Sequence, residues 1–231
     1  MIQDKDLGKI EFKQNTRARR MSIRILSDSL LVNLPVGYSE NDGLKFIEKI
    51  RLKLIKRQKS ISSQTIKLNE GKSLTTQTFD IHIRKSERNT LYASLKSGIL
   101  NIEFPQHLSV DDIQTQTYFW NAVNYFLRKE AKRILPNRTQ MLAGKYGFSY
   151  TDVKIQSSKT RWGSCNRKKN INLSFYLMLL PEYLADYVIL HELCHTKEMN
   201  HSPRFWEWMD RVTDGKAKKY RTELKNYSIP K

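Results

Sequence analysis

Residues 181–203 read PEYLADYVILHELCHTKEMNHSP, and we expect this stretch to decide both the fold and the chemistry of the chain. The apolar spacing predicts a helix with a proline in its first turn, where the missing N–H costs no hydrogen bond. Within it, His191 and His195 lie four residues apart, so a helix presents both imidazoles on one side. Glu192 follows the first histidine directly. The stretch therefore predicts two imidazoles that meet at one metal ion, with a carboxylate beside them.

A third histidine follows at the spacing that metzincin-type metal sites use. His201 lies six residues after His195, and the chain must leave the helix and turn sharply to return its ring to the same ion. We expect Asn200 to supply the left-handed conformation of that turn. Metzincins have a glycine where this chain has Glu198, so it is not a simple member of that group. Ser202, directly before a proline, is predicted to cap the next helix.

Three neutral imidazoles with one open position are typical of catalytic zinc, whereas closed structural sites bring in thiolates. The sequence thus predicts one zinc ion on His191, His195 and His201. Glu192 is predicted to be the catalytic base that activates the metal-bound water. Other divalent transition metals, such as nickel, manganese or iron, suit the same ligand set.

Other polar residues near the motif have less specific patterns. Cys194 lies inside the motif but is rotated away from both ligands, so we interpret it as a core residue. Asp186 and Glu198 are candidates for orienting a ligand imidazole, or for exposed helix charges. The two remaining histidines, His82 and His107, are expected to have ordinary surface or packing roles.

Composition limits the class of protein. Of 231 residues, 41 are basic and 23 acidic, which gives a formal charge of +18. Such a charge attracts polyanions at long range, so nucleic acid or a nucleotide is a possible partner, as is an ordinary solvated basic surface. The two cysteines, Cys165 and Cys194, are too few for a disulfide framework and fit a reducing compartment.

The chain shows no targeting signal and no apolar run long enough to span a membrane. Its longest apolar stretch, 171–190, is broken by polar residues and a proline. The first six residues include two aspartates where a signal peptide has a basic patch. We therefore expect a cytoplasmic protein with no membrane partner, and the oligomeric state is left open.

The first part of the chain, 1–108, is predicted to be a β-rich region with one helix. Alternation of apolar and polar residues with period two indicates the strands, and an apolar stripe at helical spacing indicates the helix. No internal repeat is evident. The predicted strands are 9–12, 21–25, 30–34, 78–83, 91–95 and 99–104, and the predicted helix is 39–59.

The second part, 109–231, is predicted to be the catalytic domain that holds the metal. A long helix from Ser109 is expected to stop at Pro136, since proline removes a helix hydrogen bond. A short helix over 139–145 and a strand over 150–156 follow. The expected fold class is α+β, with an active-site helix bearing H-E-x-x-H in the catalytic half.

Four segments together resemble a known family. They read RWGSC over 161–165, INL over 171–173, LADYVILHELCH over 184–195 and NHSPRFW over 200–206. In these segments the chain is similar to the YgjP-like metallopeptidases, which are zincin-type proteins related to the SprT and Spartan proteases. The order of elements before them also fits that family.

The resemblance implies a zincin-like catalytic half with zinc on the three histidines and Glu192 as catalyst. It also implies that the strand around Trp162, Gly163 and Ser164 lies beside the cleft, where an edge strand can hold an extended peptide. A purely structural hairpin is the alternative for that segment. Arg161 and Arg204 complete the candidate substrate-binding residues.

Three functions remain open at this point. The first is a zinc endopeptidase that acts on a peptide or protein, including DNA-associated proteins. The second is a metal-dependent nucleotide phosphohydrolase of pyrophosphatase type, in which basic residues neutralise phosphate oxygens. The third is a nucleic-acid-binding module with a vestigial site, which the intact Glu192 argues against. The basic residues of the second hypothesis are Arg161, Arg167, Lys168, Lys169 and Arg204.

Overall fold

The computed structural model describes residues 2–25, 29–55, 57, 67–71 and 74–229. The chain divides into two compact units: Met1–Ile66 with Pro230–Lys231, and Lys67–Ile229. This division differs from the expected boundary after residue 108, because the second predicted group of strands packs in one core with the helices that follow it. The predicted α+β class with a β-rich amino-terminal part is confirmed. None of the helices in the described ranges combines the length and apolar character that a membrane crossing requires.

The first unit is a four-stranded sheet with a helix. The strands are β1 (Ile2–Asp4), β2 (Gly8–Gln14), β3 (Ser22–Ile25) and β4 (Ser29–Leu34). Their order is β1-β2-β4-β3, with β2 and β4 parallel and the other pairs antiparallel. Alternate residues of these strands face a small apolar core, as the period-two pattern predicts. The core residues are Leu7, Ile10, Leu30, Val32, Leu34, Ile47 and Leu54.

Helix α1 (Glu40–Lys49) follows β4 and is shorter than predicted. Ser39 caps it: the Ser39 hydroxyl accepts from the Asp42 amide, and the Asp42 carboxylate accepts from the Ser39 amide at 2.9 Å. A turn at Ile50 interrupts the helix, which resumes over 51–55. The remaining predicted helical residues, apart from residue 57, lie outside the described residues.

The second unit begins with a sheet of the same topology. Its strands are β5 (Leu74–Thr75), β6 (Asp80–Ser86), β7 (Tyr92–Lys96) and β8 (Ile99–Pro105), in the order β5-β6-β8-β7. Again the two central strands are parallel and both outer pairs antiparallel. The expectation of no internal repeat is therefore wrong at the level of structure. Strand order depends on hydrogen bonds between backbones, and different apolar side chains are compatible with the same order. The two sheets can therefore share a topology without a repeated sequence.

The turn after each sheet repeats as well. Both follow the pattern P-x-x-x-S-x-x-D, from Pro35 to Asp42 and from Pro105 to Asp112. In each turn the serine amide donates to the aspartate carboxylate. In each, the amide three residues after the proline donates to the proline carbonyl. The same local hydrogen bonds thus lead from each sheet into a helix.

Helix α2 (Ile113–Tyr146) is continuous, so the predicted break at Pro136 is wrong. One face of this helix stays buried on both sides of the proline, and that burial outweighs the lost hydrogen bond. The Thr139 hydroxyl donates to the Leu135 carbonyl at 2.8 Å, and the side-chain amide of Asn137 donates to the Arg133 carbonyl at 3.4 Å. The buried residues of this face include Phe119, Val123, Leu127, Ala131, Leu135, Thr139 and Leu142.

The remaining elements form the catalytic part of the second unit. A three-stranded sheet of order β10-β11-β9 packs against α2 and against the helix that carries the motif, and two further helices pack against that motif helix. Strand β11 pairs in parallel with β9 and antiparallel with β10, and a 3-10 turn at Phe175–Leu179 leads on to the helix that carries the motif. The elements are β9 (Asp152–Gln156), β10 (Gly163–Cys165), β11 (Asn170–Ser174), α3 (Glu182–Cys194), α4 (Pro203–Val212) and α5 (Ala217–Leu224).

Candidate metal centre

Helix α3 carries the motif in its last turn, as predicted. It begins after Pro181 and is apolar almost all round, because it packs against α2, β10 and α4. His191 and Glu192 lie inside the helix, and His195 is its carboxy-terminal cap. A helix buried on all sides holds these side chains in place more tightly than an exposed loop does.

The chain after α3 turns back within six residues. The amides of Thr196 and Glu198 donate to carbonyls of the last helical turn, at 2.9 Å each, and the Thr196 hydroxyl donates to the Leu193 carbonyl. Asn200 has no left-handed conformation, so that expectation is wrong. Ser202 caps α4 as predicted, since its hydroxyl accepts from the Phe205 amide.

This turn brings the three predicted ligands together. The ring centroids of His191, His195 and His201 lie 4.8 to 5.0 Å apart, and one nitrogen of each ring lies within 4.8 Å of the others. The Nε2 atoms of His191 and His201 are 3.1 Å apart. Nitrogen ligands about 2.0–2.1 Å from a tetrahedral zinc ion are themselves separated by roughly 3.3 Å. The arrangement therefore fits a divalent metal.

The ring of His195 is oriented by the backbone. Its Nδ1 lies 3.1 Å from the carbonyl oxygen of Glu198, so that nitrogen carries the proton and Nε2 keeps its lone pair. The prediction that Glu198 orients a ligand is therefore met by its carbonyl and not by its carboxylate. Asp186 does not take this role: both its oxygens accept from Arg138, at 2.7 and 2.5 Å. It ties α3 to α2 instead.

One aromatic side chain supports all three imidazoles. Phe205 is fully buried, and its ring centroid lies 4.6 Å from that of His195, 4.7 Å from that of His201 and 4.9 Å from that of His191. The His195 ring stacks on it, and the other two meet it at an angle. Because the buried phenyl ring cannot move freely, it limits the rotation of each imidazole.

Burial keeps the imidazoles of His191 and His195 neutral. Burial, and to a smaller extent the charges that His195 and His201 can carry, lower the pKa of His191 to about 3. Burial also lowers the pKa of His195, against the raising effect of its bond to Glu198. A metal binds the deprotonated ring, so both rings have the form that a ligand needs at neutral pH.

Glu192 is buried beside the histidines. Glu192 is only 5% exposed. Burial raises the pKa of its carboxyl group to about 8, and the charge of Arg161 acts in the opposite direction. Gly163 lies directly against it. A Cβ on Gly163 would stand 2.7 Å from Oε1 of Glu192, closer than side chains tolerate. The absence of a side chain at 163 therefore makes room for the carboxylate.

The predicted substrate-binding residues are brought together only in part. Gly163 contacts Glu192, and the charge of Arg161 affects the same carboxylate. Trp162 and Ser164 bond to the neighbouring chain segment: the Trp162 carbonyl accepts from the Ser174 amide, and the Ser164 hydroxyl accepts from Asn172 at 3.4 Å. Arg204 is exposed in the first turn of α4, and the described residues show no ion pair or hydrogen bond from its side chain to the site.

Strand β10 has features of both interpretations of this segment. It is one half of an antiparallel hairpin, with Gly163 opposite Leu173 and Cys165 opposite Ile171. It is also an edge strand, since in the described part of the sheet it pairs with β11 alone. Its unpaired side is therefore open to another strand.

Several neighbours of the site have no signal in the sequence. Arg221 on α5 acts by its charge on His191 and on Tyr187, and its guanidinium lies 5.0 Å above the Trp206 ring. Cys165 lies close enough to Glu192 for the carboxylate charge to add to burial, and together they raise the pKa of the thiol to about 11. Cys194 is fully buried, as predicted, and burial raises its pKa to about 12. Only tertiary packing brings Cys165 and Arg221 to the site.

Comparison with solved structures finds two metallopeptidase zymogens, each similar to this chain over less than half of its length. Abylysin of Pyrococcus abyssi is 23% identical, with a TM-score of 0.37, and the match covers 40% of this chain and 93% of abylysin. Jannalysin of Methanocaldococcus jannaschii is 20% identical, with a TM-score of 0.35, and the match covers 39% of this chain and 93% of jannalysin. No curated protein gives a significant match.

The family comparison is more extensive. A family model described as YgjP-like, metallopeptidase domain, matches residues 19–227. The match spans almost the whole chain and includes the three histidines and Glu192. The chain therefore belongs to the YgjP-like metallopeptidase family.

Proposed function

We propose that this chain is a zinc endopeptidase that hydrolyses an extended segment of a peptide or protein. The observation that carries the proposal is the convergence of three imidazoles next to one buried carboxylate. Membership of a metallopeptidase family supports peptide hydrolysis over other reactions of the same ligand set. A site with three histidine ligands and one open position suits zinc best.

His191, His195 and His201 would hold the metal, and the chain offers the means to keep them in place. The Glu198 carbonyl fixes the His195 tautomer, and Phe205 supports all three rings. When bound, the metal supplies Lewis acidity, which polarises the scissile carbonyl and makes water easier to deprotonate. Glu192 then has the role of general base and acid. Its carboxylate takes a proton from the attacking water and delivers it to the leaving amine.

The substrate would bind along β10. An extended peptide can add to the unpaired side of this edge strand through backbone hydrogen bonds, whatever the amino-acid sequence of the peptide. Because Gly163 on β10 touches Glu192, a peptide paired there passes the general base at close range. Ser164 lies on this strand and Arg161 and Trp162 directly precede it, so all three are proposed substrate-binding residues, and Arg204 is a further candidate. This geometry favours cleavage within a chain rather than release of a terminal residue.

The formal charge of +18 supports substrates that are associated with DNA. The alternative function is hydrolysis of nucleotide phosphates. It is favoured by the turn between β10 and β11, where Arg167, Lys168 and Lys169 are all exposed, and by Arg161 near Glu192. A nucleic-acid-binding protein without catalysis is the third candidate, and the buried Glu192 argues against it.

Activity of the zinc-loaded protein on three classes of substrate tests these functions. We would incubate it with casein, with a protein bound to DNA and with nucleoside triphosphates, and compare wild type with Glu192→Gln. We expect peptide cleavage that falls by about 10²–10⁴-fold in the variant, since general acid and base catalysis contributes this much. Glu198→Gln is the matched control, because Glu198 acts through its backbone carbonyl and should keep full activity.

The other outcomes identify the other functions. Release of phosphate or pyrophosphate that Glu192→Gln abolishes, with no peptide cleavage, would replace the proposal with the phosphohydrolase. Binding of DNA without turnover of any substrate would indicate a vestigial site. Metal analysis of the purified protein identifies the native ion. The variant His201→Ala should lose it, whereas His107→Ala, outside the cluster, should retain it.

A further inference from the structure

The repeated topology of the two sheets allows them to be compared position by position. Each central parallel pair ends at a proline, Pro35 after β4 and Pro105 at the end of β8. Two residues before that proline stand Asn33 in the first sheet and Glu103 in the second. Their side chains point away from the apolar core, since the residues on either side of each are buried.

The neighbours of these two residues also correspond. Asn33 lies between Lys13 on β2 and Ser22 on β3. Glu103 lies between Arg84 on β6 and Tyr92 on β7. The outward faces of the two sheets therefore have the same plan, with different residues at the centre.

In the second sheet the central carboxylate pairs with two neighbouring arginines. Glu103 accepts from Arg84 at 2.5 Å and from Arg88 at 2.9 Å, and Arg88 also lies over the Tyr92 ring. Its own side chain is only 12% exposed, between the two guanidinium groups. Arg84 and Arg88 thus both have an acidic partner within the fold.

In the first sheet no such carboxylate is present at the centre. The Asn33 amide donates to the Ser22 hydroxyl at 3.4 Å and offers no charge to Lys13. Glu11, the one acidic residue of 8–25, pairs with Lys9 at 2.6 Å. Within the described residues no carboxylate lies in ion-pair range of the other basic side chains of this segment. These are Lys13 and Arg24 on the outward face, and Arg17, Arg19 and Arg20 in the loop between β2 and β3.

We propose that the outward face of the first sheet, with the loop between β2 and β3, binds the phosphate backbone of nucleic acid. We name this surface, formed by Lys13, Arg17, Arg19, Arg20 and Arg24, the basic sheet face. Four of its five cations are arginines, whose planar guanidinium matches phosphate oxygens in pairs. Exposed cations without an acidic partner in the fold attract anions from solution, and a polyanion can bind several of these cations at once.

The composition of the basic sheet face favours nucleic acid over a lipid surface. Stable attachment to a membrane interface needs exposed apolar side chains beside the cations. On this face Leu31 is the large apolar residue within the described strands, and it is half-buried between its neighbours. No aromatic ring lies on these strand positions to stack a base, so contact is with phosphates and independent of base sequence. This inference does not depend on the peptidase activity.

Fluorescence anisotropy with a labelled 20-base-pair DNA duplex tests the proposal on the full chain. Asn33→Glu installs the carboxylate that the second sheet already has, and should weaken binding by about tenfold. Lys13→Gln with Arg24→Gln removes two exposed cations, and should weaken binding by tenfold or more. It should also reduce the slope of log K against log salt by about 2, since each phosphate contact contributes about 0.9.

The second sheet provides the matched control. Arg84→Gln with Arg88→Gln removes the same charge beside the second sheet, where Glu103 already pairs with both arginines, and should leave affinity within about twofold. Equal weakening by both double variants would overturn the proposal, because binding would then follow net charge alone. Absence of duplex binding by wild type would overturn it too. Vesicles of anionic phospholipid that bind in place of DNA, with the same dependence on Lys13 and Arg24, would assign the face to a membrane. The double variant changes only exposed side chains, so it keeps the test valid if Asn33→Glu fails to fold.

Discussion

Gly163 and Glu192 are packed so closely that no side chain fits between them: a Cβ at 163 would stand 2.7 Å from Oε1 and 2.8 Å from Cγ of the glutamate. The contact joins the edge strand β10 to the helix that carries the metal ligands. In the proposed mechanism, it fixes the position of Glu192, the general base, relative to a peptide paired with that strand. The backbone of Gly163 does not require a left-handed conformation, so space alone explains the glycine.

Gly163→Ala should therefore impair catalysis more than folding. The added methyl group displaces either the Glu192 carboxylate or β10, and a displacement on the order of 1 Å at a reacting group costs about 10²-fold in rate. Zinc content should not change, because the three atoms nearest a Cβ at 163 all belong to Glu192 and none to a histidine. Gly144→Ala is the control, since nothing lies within 4 Å of a Cβ there. Steady-state kinetics showing equal activity for both variants would contradict the proposed role of this contact.

Phe205→Leu should weaken metal binding. The smaller side chain leaves the three imidazoles free to rotate, and loss of such support typically costs 10- to 100-fold in metal affinity. Phe119→Leu is the matched control, because Phe119 is equally buried but packs against Phe104. Both variants should lose stability on the order of 1 kcal/mol. Competition with a chromogenic zinc chelator measures the affinity, and the same affinity in both variants would refute the supporting role of Phe205.

Arg221→Gln should lower kcat by about tenfold with unchanged zinc content. The charge of Arg221 acts on His191, and its guanidinium is held over Trp206, so it is available to negative charge that develops on the substrate. Arg211→Gln is the control, because Arg211 stacks on Trp208 in the same way, at 4.8 Å, without an effect on a ligand histidine. If both variants keep wild-type kcat, Arg221 has no part in catalysis.

Glu103→Gln should destabilise the protein in a pH-dependent manner. Arg84 and then Arg88 lower the pKa of Glu103, so its stabilising effect is present above the ordinary value of 4.5 and is lost as the pH falls through the lowered value. At pH 7 we expect a loss of about 1 kcal/mol, since both arginines are largely exposed. Urea unfolding of both proteins should give a smaller difference at a pH of about 3.5. A difference that stays constant with pH would show that charge is not its cause.

Local sequence patterns predicted the helices and strands well where one element buries one face. Three strands of each four-stranded sheet and the helix from Pro181 follow from periodicity and from proline and serine at element ends. The short edge strands β1 and β5 were not predicted. The break at Pro136 was predicted wrongly, because burial of a long helix face outweighs one missing hydrogen bond. The repeated topology was not predicted, because strands pair through their backbones and the same pairing is compatible with many side chains.

By itself the sequence determined which residues can form the metal centre of this protein. The spacing of His191, Glu192, His195 and His201 fixes their positions on and just after one helix. Only the tertiary structure decided what surrounds that set: the glycine against Glu192, the carbonyl at Glu198, and the ring of Phe205 beneath all three imidazoles. Helix periodicity is a property of neighbouring residues, so spacing reveals it. Contact between segments far apart in the chain depends on how the whole core packs, and no local pattern carries that information.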